Sequence, residues 1–351
     1  LQENTLNKIL VFNPSFIGDS ILTTPLITVI KKLYPKSKIS FCVRPESSEL
    51  FECLEDINEM IIFDKRNKDR GLKGIIDFSQ KLRNEGFDLI ISPHKSFRTV
   101  ILLKLSGCKN IVGFKEAACS FLFDSNVHRD MNLHEVERNL LLLFNISEDY
   151  SFDEIKKMAE YPKVCSDSEY EKKLRILFKC LKKDCRKIAC IAPASVWNTK
   201  MWPVEHYARV IEKLFSEHIY SLVIASKKEY SVIRRLKDEC SVPFLDFAAK
   251  TSLSELSAII KNIDILLCND SAPMHIAASH KTPVVAIFGP TTENLGFFPY
   301  GEGESRVIED KNLDCRPCAL HGGKKCPEKH FKCMRNISPV QVYTTVMELI
   351  L

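Results

Sequence analysis

Ile9-Leu10-Val11-Phe12-Asn13-Pro14-Ser15-Phe16-Ile17-Gly18-Asp19 is an apolar run that breaks into a polar loop, after which apolar residues return at Leu22, Leu26, Val29, Ile30 and Leu33. The run has the length of a buried strand and the later spacing is helical. Strand, loop and helix in that order open a βα unit, the building block of a parallel sheet with helices on its faces. Pro25 falls inside the helical stretch. Without an amide hydrogen it should interrupt one backbone bond and bend the helix.

Working outward, the same alternation continues. Apolar runs at 38–43, 60–63 and 87–91 are separated by helical patterns near 72–84, 96–106 and 133–144. A second series starts at Ile188-Ala189-Cys190-Ile191 and continues with a helix near 203–217, a strand at 220–225 and a helix at 228–239. Ser252 and Glu255 have capping-box spacing for a helix to Asn262. A strand at 264–268 and another from Pro283 to Phe288 follow, and Ser338-Pro339-Val340-Gln341 is a helix start. Between the series, residues 148 to about 184 are rich in Lys, Glu and Asp. The expected division is an α/β domain over 1–165, a helical linker over 166–184, a second α/β domain over 185–337 and a terminal helix over 338–351. A chain of 351 residues exceeds what one core usually organises, so two domains are the natural expectation.

Composition excludes several classes. Hydrophobic residues make up 45% and charged residues 27% of the chain, enough for two cores and too mixed in sign for disorder. No stretch of 18 consecutive apolar residues is present, and no basic stretch feeds an apolar secretory segment, so a cytoplasmic protein is expected. Residues 1–165 hold 23 Lys or Arg against 23 Asp or Glu, whereas 306–335 hold eight against four. The net charge of +5 is thus concentrated near the C-terminus, which suits a local anionic ligand and argues against a nucleic-acid partner. Of fourteen cysteines, most stand singly in apolar patterns, as Cys42, Cys190 and Cys268 do, like buried free thiols in a reducing compartment.

In an open parallel sheet, ligands bind where strands end and helices begin, because unpaired helix-start amides attract anions there. Four loops qualify. In Ser15-Phe16-Ile17-Gly18-Asp19-Ser20, which lacks a dinucleotide or P-loop glycine pattern, Asp19 is either a helix cap or a general base. In Ser195-Val196-Trp197-Asn198-Thr199-Lys200-Met201-Trp202-Pro203, Lys200 beside hydroxyls suits a phosphate; a surface lysine over a core Trp202 is the alternative. Asn269-Asp270-Ser271-Ala272-Pro273-Met274-His275 collects polar groups before a helix. Gly289 permits close backbone approach, and Thr291 could hold a phosphate or ribose.

Cys315-Arg316-Pro317-Cys318, then Cys326 and Cys333, with His321 and His330 between them, leave three readings open. They are a structural zinc, metal-free buried or redox thiols, and an iron–sulfur cluster. No convincing Asp-x-Asp diphosphate–metal motif is present, so no divalent metal is expected as an obligatory cofactor.

The segments Asn13-Pro14-Ser15-Phe16-Ile17-Gly18-Asp19 through Leu26, Lys200-Met201-Trp202-Pro203, Asn269 through Ala278 and Pro283 through Thr291 resemble those of the family 9 glycosyltransferases, the bacterial lipopolysaccharide heptosyltransferases. The closing cysteine-bearing stretch through Met334 is similar to the branch that includes heptosyltransferase II. The resemblance implies a GT-B fold, two Rossmann-like domains facing across a cleft, with the terminal helix returning onto the first domain. It implies ADP-heptose as donor substrate, a hydroxyl of the lipopolysaccharide inner core as acceptor, inversion at the anomeric carbon, no cofactor required for transfer, and transient contact with the inner face of the cytoplasmic membrane. Asp19 matches the catalytic base; Ser195, Lys200, Asp270, Ser271 and His275 match donor-binding positions, and Glu229 corresponds to the acidic residue that binds the nucleoside. Ala272 stands where the family commonly has glycine. A family 9 transferase using another nucleotide sugar, and a noncatalytic metal-bearing interaction module, are the alternatives; the absent glycine fingerprint disfavours an epimerase or dehydrogenase.

Overall fold

A computed structural model describes residues 6–147, 149–181 and 186–351. The chain divides into two compact units, Leu1–Cys165 and Ser166–Leu351. The first contains strands β1 (Lys8–Phe12), β2 (Lys38–Val43), β3 (Glu59–Ile62), β4 (Leu89–Ser92), β5 (Ile111–Phe114) and β6 (Ser125–Val127). Its helices are α1 (Ile17–Ile21), α2 (Thr24–Leu33), α3 (Gly71–Glu85), α4 (Phe97–Leu105), α5 (Glu135–Leu141) and α6 (Phe152–Met158). The second contains helix α7 (Ser168–Leu181), strands β7 (Lys187–Ala192), β8 (Ile219–Val223), β9 (Leu245–Asp246), β10 (Ile265–Asn269), β11 (Val284–Phe288) and β12 (Ser305–Glu309), and helices α8 (Val204–Ser216), α9 (Tyr230–Glu239), α10 (Leu253–Asn262), α11 (Ala272–Ser279), α12 (Lys332–Arg335) and α13 (Pro339–Ile350).

The sheets share one plan. The first runs β3-β2-β1-β4-β5-β6 and the second β9-β8-β7-β10-β11-β12, with neighbouring strands parallel. In each, chain order reverses between two central strands, β1 beside β4 and β7 beside β10, with Val11 paired to Ile91 and Leu267 to Ile191. Such a reversal opens a crevice at the carboxyl ends of the two strands. The loops singled out at Asp19, Ser195 and Asp270 leave those ends. Each sheet has its own core: Leu10, Phe12, Phe63 and Phe78 in the first unit, Ile191, Trp202, Tyr207 and Leu267 in the second.

Two local expectations change. Pro25 does not bend a continuous helix: α1 stops at Ile21 and α2 restarts at Thr24, placing Pro25 in the first turn, where a missing amide hydrogen breaks no bond. The segment 168–181 of the expected linker is helix α7, which packs on α10 in the second unit; residues 182–184 lie outside the described residues. Helix α13 buries Val342, Val346, Leu349 and Ile350 in the second unit's core, against α8, β10 and β11.

The capping signals hold. Ser252 Oγ accepts from the Glu255 amide at 3.3 Å while the Glu255 carboxylate accepts from the Ser252 amide at 2.8 Å, and Ser338 Oγ accepts from the Gln341 amide at 3.2 Å. Cys53 and Cys165 are joined by a disulfide, a departure from the free-thiol pattern that no local sequence signal marks. No helix among the described residues is long and apolar enough to cross a membrane.

Candidate functional site

In the first unit, the loop leaving β1 is held by Asn13, whose Nδ2 donates to Thr23 Oγ1 at 2.7 Å, and by Thr23 Oγ1, which donates to the Asp19 carbonyl at 2.8 Å. Asp19 lies in the first turn of α1 and its Oδ2 accepts from the Phe16 amide at 3.2 Å, the capping geometry. Part of the residue reaches solvent, yet its carboxyl sits deep enough that burial pushes it up to about 6, and the nearby Glu135 carboxylate adds to the rise; the Phe16 amide, Arg44 and Arg129 pull the other way. A carboxyl with that value is a base at neutral pH and is still able to hold a proton.

Cations crowd this carboxyl. Arg44 Nε and Lys65 Nζ both donate to the Pro14 carbonyl, at 2.9 and 3.0 Å, and the Arg44 guanidinium lies 4.8 Å from the centroid of the Phe16 ring. Arg129 pairs with Glu135, which also accepts from Arg138 Nη1 at 3.2 Å. Burial, then Arg44, Arg66 and Arg98, lowers Lys65 to about 8. Burial, then Lys65, Arg44 and Lys95, lowers His94 to about 3. Cations that repel one another inside a partly buried surface are relieved by an anion. Sequence reading missed this basin, because Arg44, Lys65, His94 and Arg129 come from four separate loops.

In the second unit, Lys200 closes a short turn after β7 and points its Nζ at Asp270 Oδ2, 2.5 Å away. Thr291 Oγ1 donates to the same oxygen at 2.7 Å. The three positions singled out separately in sequence thus form one buried network at the ends of β7, β10 and β11. Lys200 is not the surface lysine of the alternative reading. Trp202 does lie in the core, its indole donating to the Ile337 carbonyl at 3.1 Å. Asn269 ties the loops together: its Oδ1 accepts from the Trp202 amide and the Tyr207 hydroxyl, each at 3.0 Å, and its Nδ2 donates to the Pro193 carbonyl at 2.9 Å.

Ser195 is buried after β7, its Oγ accepting from the Trp197 amide at 3.3 Å. Ser271 occupies the cap position of α11 without capping it; its Oγ donates to the Asn269 carbonyl at 3.2 Å. His275, one turn into α11, is buried with no partner for Nδ1, and burial lowers it to about 4, against the pull of Asp270. It is a neutral ring at physiological pH with one unspent polar atom. The Glu229 carboxylate caps the turn after β8, accepting from the Ser226 amide at 3.0 Å and hydroxyl at 2.6 Å.

The four cysteines lie near one another without closing into a ligand set. Burial, then Cys318 and, further down, Cys326 and Cys315, raises the Cys333 thiol to about 11. Cys318, Cys326 and Cys333 line a cavity of about 60 Å³ beside Thr199. Cys318 Sγ donates to the Cys315 carbonyl at 3.0 Å. A metal needs converging thiolates, and among the described residues no group of three or more His, Cys, Asp or Glu side chains could hold a metal ion. The zinc and iron–sulfur readings therefore find no fitting ligand set. Gly289 also has a different role from the one expected: a Cβ there would meet Met334 at 2.7 Å, so the glycine serves packing. Arg316, quoted in sequence only as part of the cysteine run, has a buried side chain that donates to three carbonyls at the end of β11 and in the loop after it.

The sequence model of glycosyltransferase family 9 (heptosyltransferase) matches residues 75–331. Lipooligosaccharide heptosyltransferase 2 of Campylobacter jejuni is 26% identical over 347 residues, covering 97% of this chain and 99% of that protein. The crystal structure of a family 9 glycosyltransferase from Veillonella parvula superposes with a TM-score of 0.83 at 20% identity, covering 98% of this chain and 97% of the other. The ADP-heptose lipopolysaccharide heptosyltransferase II of E. coli superposes with a TM-score of 0.80 at 20% identity, covering 98% of each chain. Two parallel sheets of one strand order, with polar networks at both reversals, are the Rossmann-like units of the GT-B fold, and with the family match they establish that this chain belongs to glycosyltransferase family 9.

Proposed function

We propose that this glycosyltransferase moves L-glycero-D-manno-heptose from ADP-heptose to a hydroxyl of the lipopolysaccharide inner core, with inversion. The observation that carries the mechanism is Asp19, whose carboxyl is poised near pH 6 amid cations at the reversal of the first sheet. The Asp19 carboxylate takes the proton of the acceptor hydroxyl as that oxygen bonds to the anomeric carbon. The bond from the anomeric carbon to the diphosphate oxygen breaks, and ADP leaves with the electron pair. The cation basin of Arg44, Lys65 and Arg129 suits an acceptor carrying carboxylates or phosphates.

On the donor side Lys200, Ser195 and the first amides of α11 meet the negative charge that develops on the leaving diphosphate. Asp270 and Thr291 hold Lys200, with Thr291 also within reach of a phosphate or ribose, while Ser271 and His275 Nδ1 offer polar contacts. Glu229 is the weakest member of this set, since its carboxylate is occupied by Ser226. Transfer needs no metal on this reading, because Lys200 supplies the positive charge.

The enzyme acts in the cytoplasm, at the inner face of the membrane that carries its acceptor. Arg98 of α4 reaches the Gly71 carbonyl at the start of α3 at 3.5 Å, and Phe97 and Leu72 at the starts of these two helices are both exposed. The adjoining run 65–73 holds five cations and one carboxylate, a pairing suited to an anionic lipid surface. Heptosyl transfer is tested with purified protein, ADP-heptose and either Kdo-lipid A or a heptosylated acceptor, the product being read by mass spectrometry in the presence of a chelator. A product heavier by one heptose is expected. Transfer only from a different nucleotide sugar would sink the donor assignment.

A further inference from the structure

We propose that Arg316 is a positioning residue of the donor site, acting through Thr291; the proposal rests on the reading of Lys200 and Asp270 as the donor's diphosphate side. Arg316 lies between two cysteines, and its side chain is only 3% exposed. Its Nε donates to the Gly289 carbonyl, its Nη1 to the Asp310 carbonyl at 2.5 Å, and its Nη2 to the carbonyls of Phe288 at 3.2 Å and Thr291 at 2.7 Å and to Glu309 Oε2 at 2.8 Å. A planar guanidinium is suited to gathering several acceptors in fixed directions. Here it gathers the turn that follows β11.

That turn ends at Thr291, whose hydroxyl donates to the Asp270 oxygen shared with Lys200. A chain of direct contacts therefore runs from Arg316 to the Thr291 backbone, from the Thr291 side chain to Asp270, and from Asp270 to the Lys200 ammonium. The same segment grips the second loop as well. The Cys318 amide donates to the Pro290 carbonyl at 2.9 Å, and the Gly323 amide donates to Thr199 Oγ1, beside Lys200, at 2.7 Å. The cysteine-bearing stretch is thus a strap across both donor loops, and Arg316 is its main fastening. Without the guanidinium, the buried carbonyls of Gly289 and Thr291 lose a donor, the turn relaxes, and Thr291 no longer fixes the oxygen that aims Lys200.

The test uses the full chain and ADP as probe, with affinity read by calorimetry and the fold by circular dichroism and thermal unfolding. Arg316→Lys should weaken ADP binding about tenfold with the acceptor KM unchanged, since one ammonium cannot reproduce the fork. Thr291→Val should weaken it comparably. The double variant should bind no worse than Arg316→Lys alone, because both changes break one chain of contacts. Should Arg316→Lys fail to fold, Glu309→Gln, which removes the charge from one of the fork's acceptors, should give a smaller loss of the same kind. A folded Arg316→Lys or Glu309→Gln variant with wild-type ADP affinity, or losses that multiply in the double variant, would overturn the proposal. Absence of ADP binding by the wild-type chain would instead overturn the donor-site reading on which it stands.

Discussion

Lys200 Nζ and Asp270 Oδ2 stand 2.5 Å apart with side chains only 11% and 9% exposed, and this buried ion pair joins the exit of β7 to the exit of β10. Removing one partner strands the other charge in a low-dielectric site, at a cost of about 3–5 kcal/mol. Lys200→Met should therefore lower the unfolding temperature and weaken ADP binding together. The double variant Lys200→Met, Asp270→Asn should recover most of the stability and none of the affinity. Calorimetry and thermal unfolding on the three proteins separate the two effects; undiminished ADP affinity in Lys200→Met would defeat its donor role.

Asp19→Asn should lower kcat by about 10²–10⁴-fold, the range of a positioned general base, with ADP affinity unchanged. In the wild type, kcat/KM should climb as pH rises through about 6, where Asp19 loses its proton. The stability effect has the opposite sign. An unfolded aspartate ionises near 3.8 and the folded one near 6, so ionisation costs the fold stability, fully above pH 6 and not at all below 3.8. Asp19→Asn should melt higher than wild type at neutral pH and the same at strongly acidic pH. A variant with wild-type turnover would remove Asp19 from the mechanism.

Both predictions start from residues that were legible in the chain itself, and the reason is local. Asp19, Lys200 and Asp270 each follow an apolar run that ends abruptly, and strand exits are where a parallel sheet exposes its ligand crevice. Their joining was not legible: Lys200 and Asp270 are seventy residues apart, and only the pairing of β7 with β10 brings them together. Arg316 escaped notice because most of its partners are backbone carbonyls, which carry no side-chain signature. The strands β6, β9 and β12 are edge elements whose polar residues blur the alternation, and β5 is an apolar run of only four residues interrupted by a glycine. The capping box of Ser226 and Glu229 was legible in their three-residue spacing.

His275 should stay neutral well below the usual histidine range, since burial lowers it to about 4 from 6.5. The unfolded chain takes up this proton near 6.5 and the folded chain only near 4, so stability should fall as pH drops through that window. His275→Leu should flatten that part of the stability curve and weaken ADP binding, because the unspent Nδ1 is lost. The ring's NMR signals decide the first point: titration near 6.5 in the folded protein would contradict its burial as a neutral base.

Glu135 and Arg44 bear on Asp19 with opposite signs, so changing them should move the pH profile in opposite directions. The Glu135 carboxylate raises the Asp19 value and the Arg44 guanidinium lowers it. Glu135→Gln removes a negative neighbour and should shift the acid limb of kcat/KM to lower pH; Arg44→Met removes a positive one and should shift it to higher pH. General destabilisation cannot imitate this pair of results, since it would depress activity in both variants without displacing the midpoint in opposite senses. Glu135 also pairs with buried Arg129 and Arg138, so the glutamine, which keeps an acceptor oxygen, is the appropriate replacement, and thermal unfolding confirms that the folded variant is being read. If both profiles keep the wild-type midpoint, the group titrating in the acid limb is not Asp19.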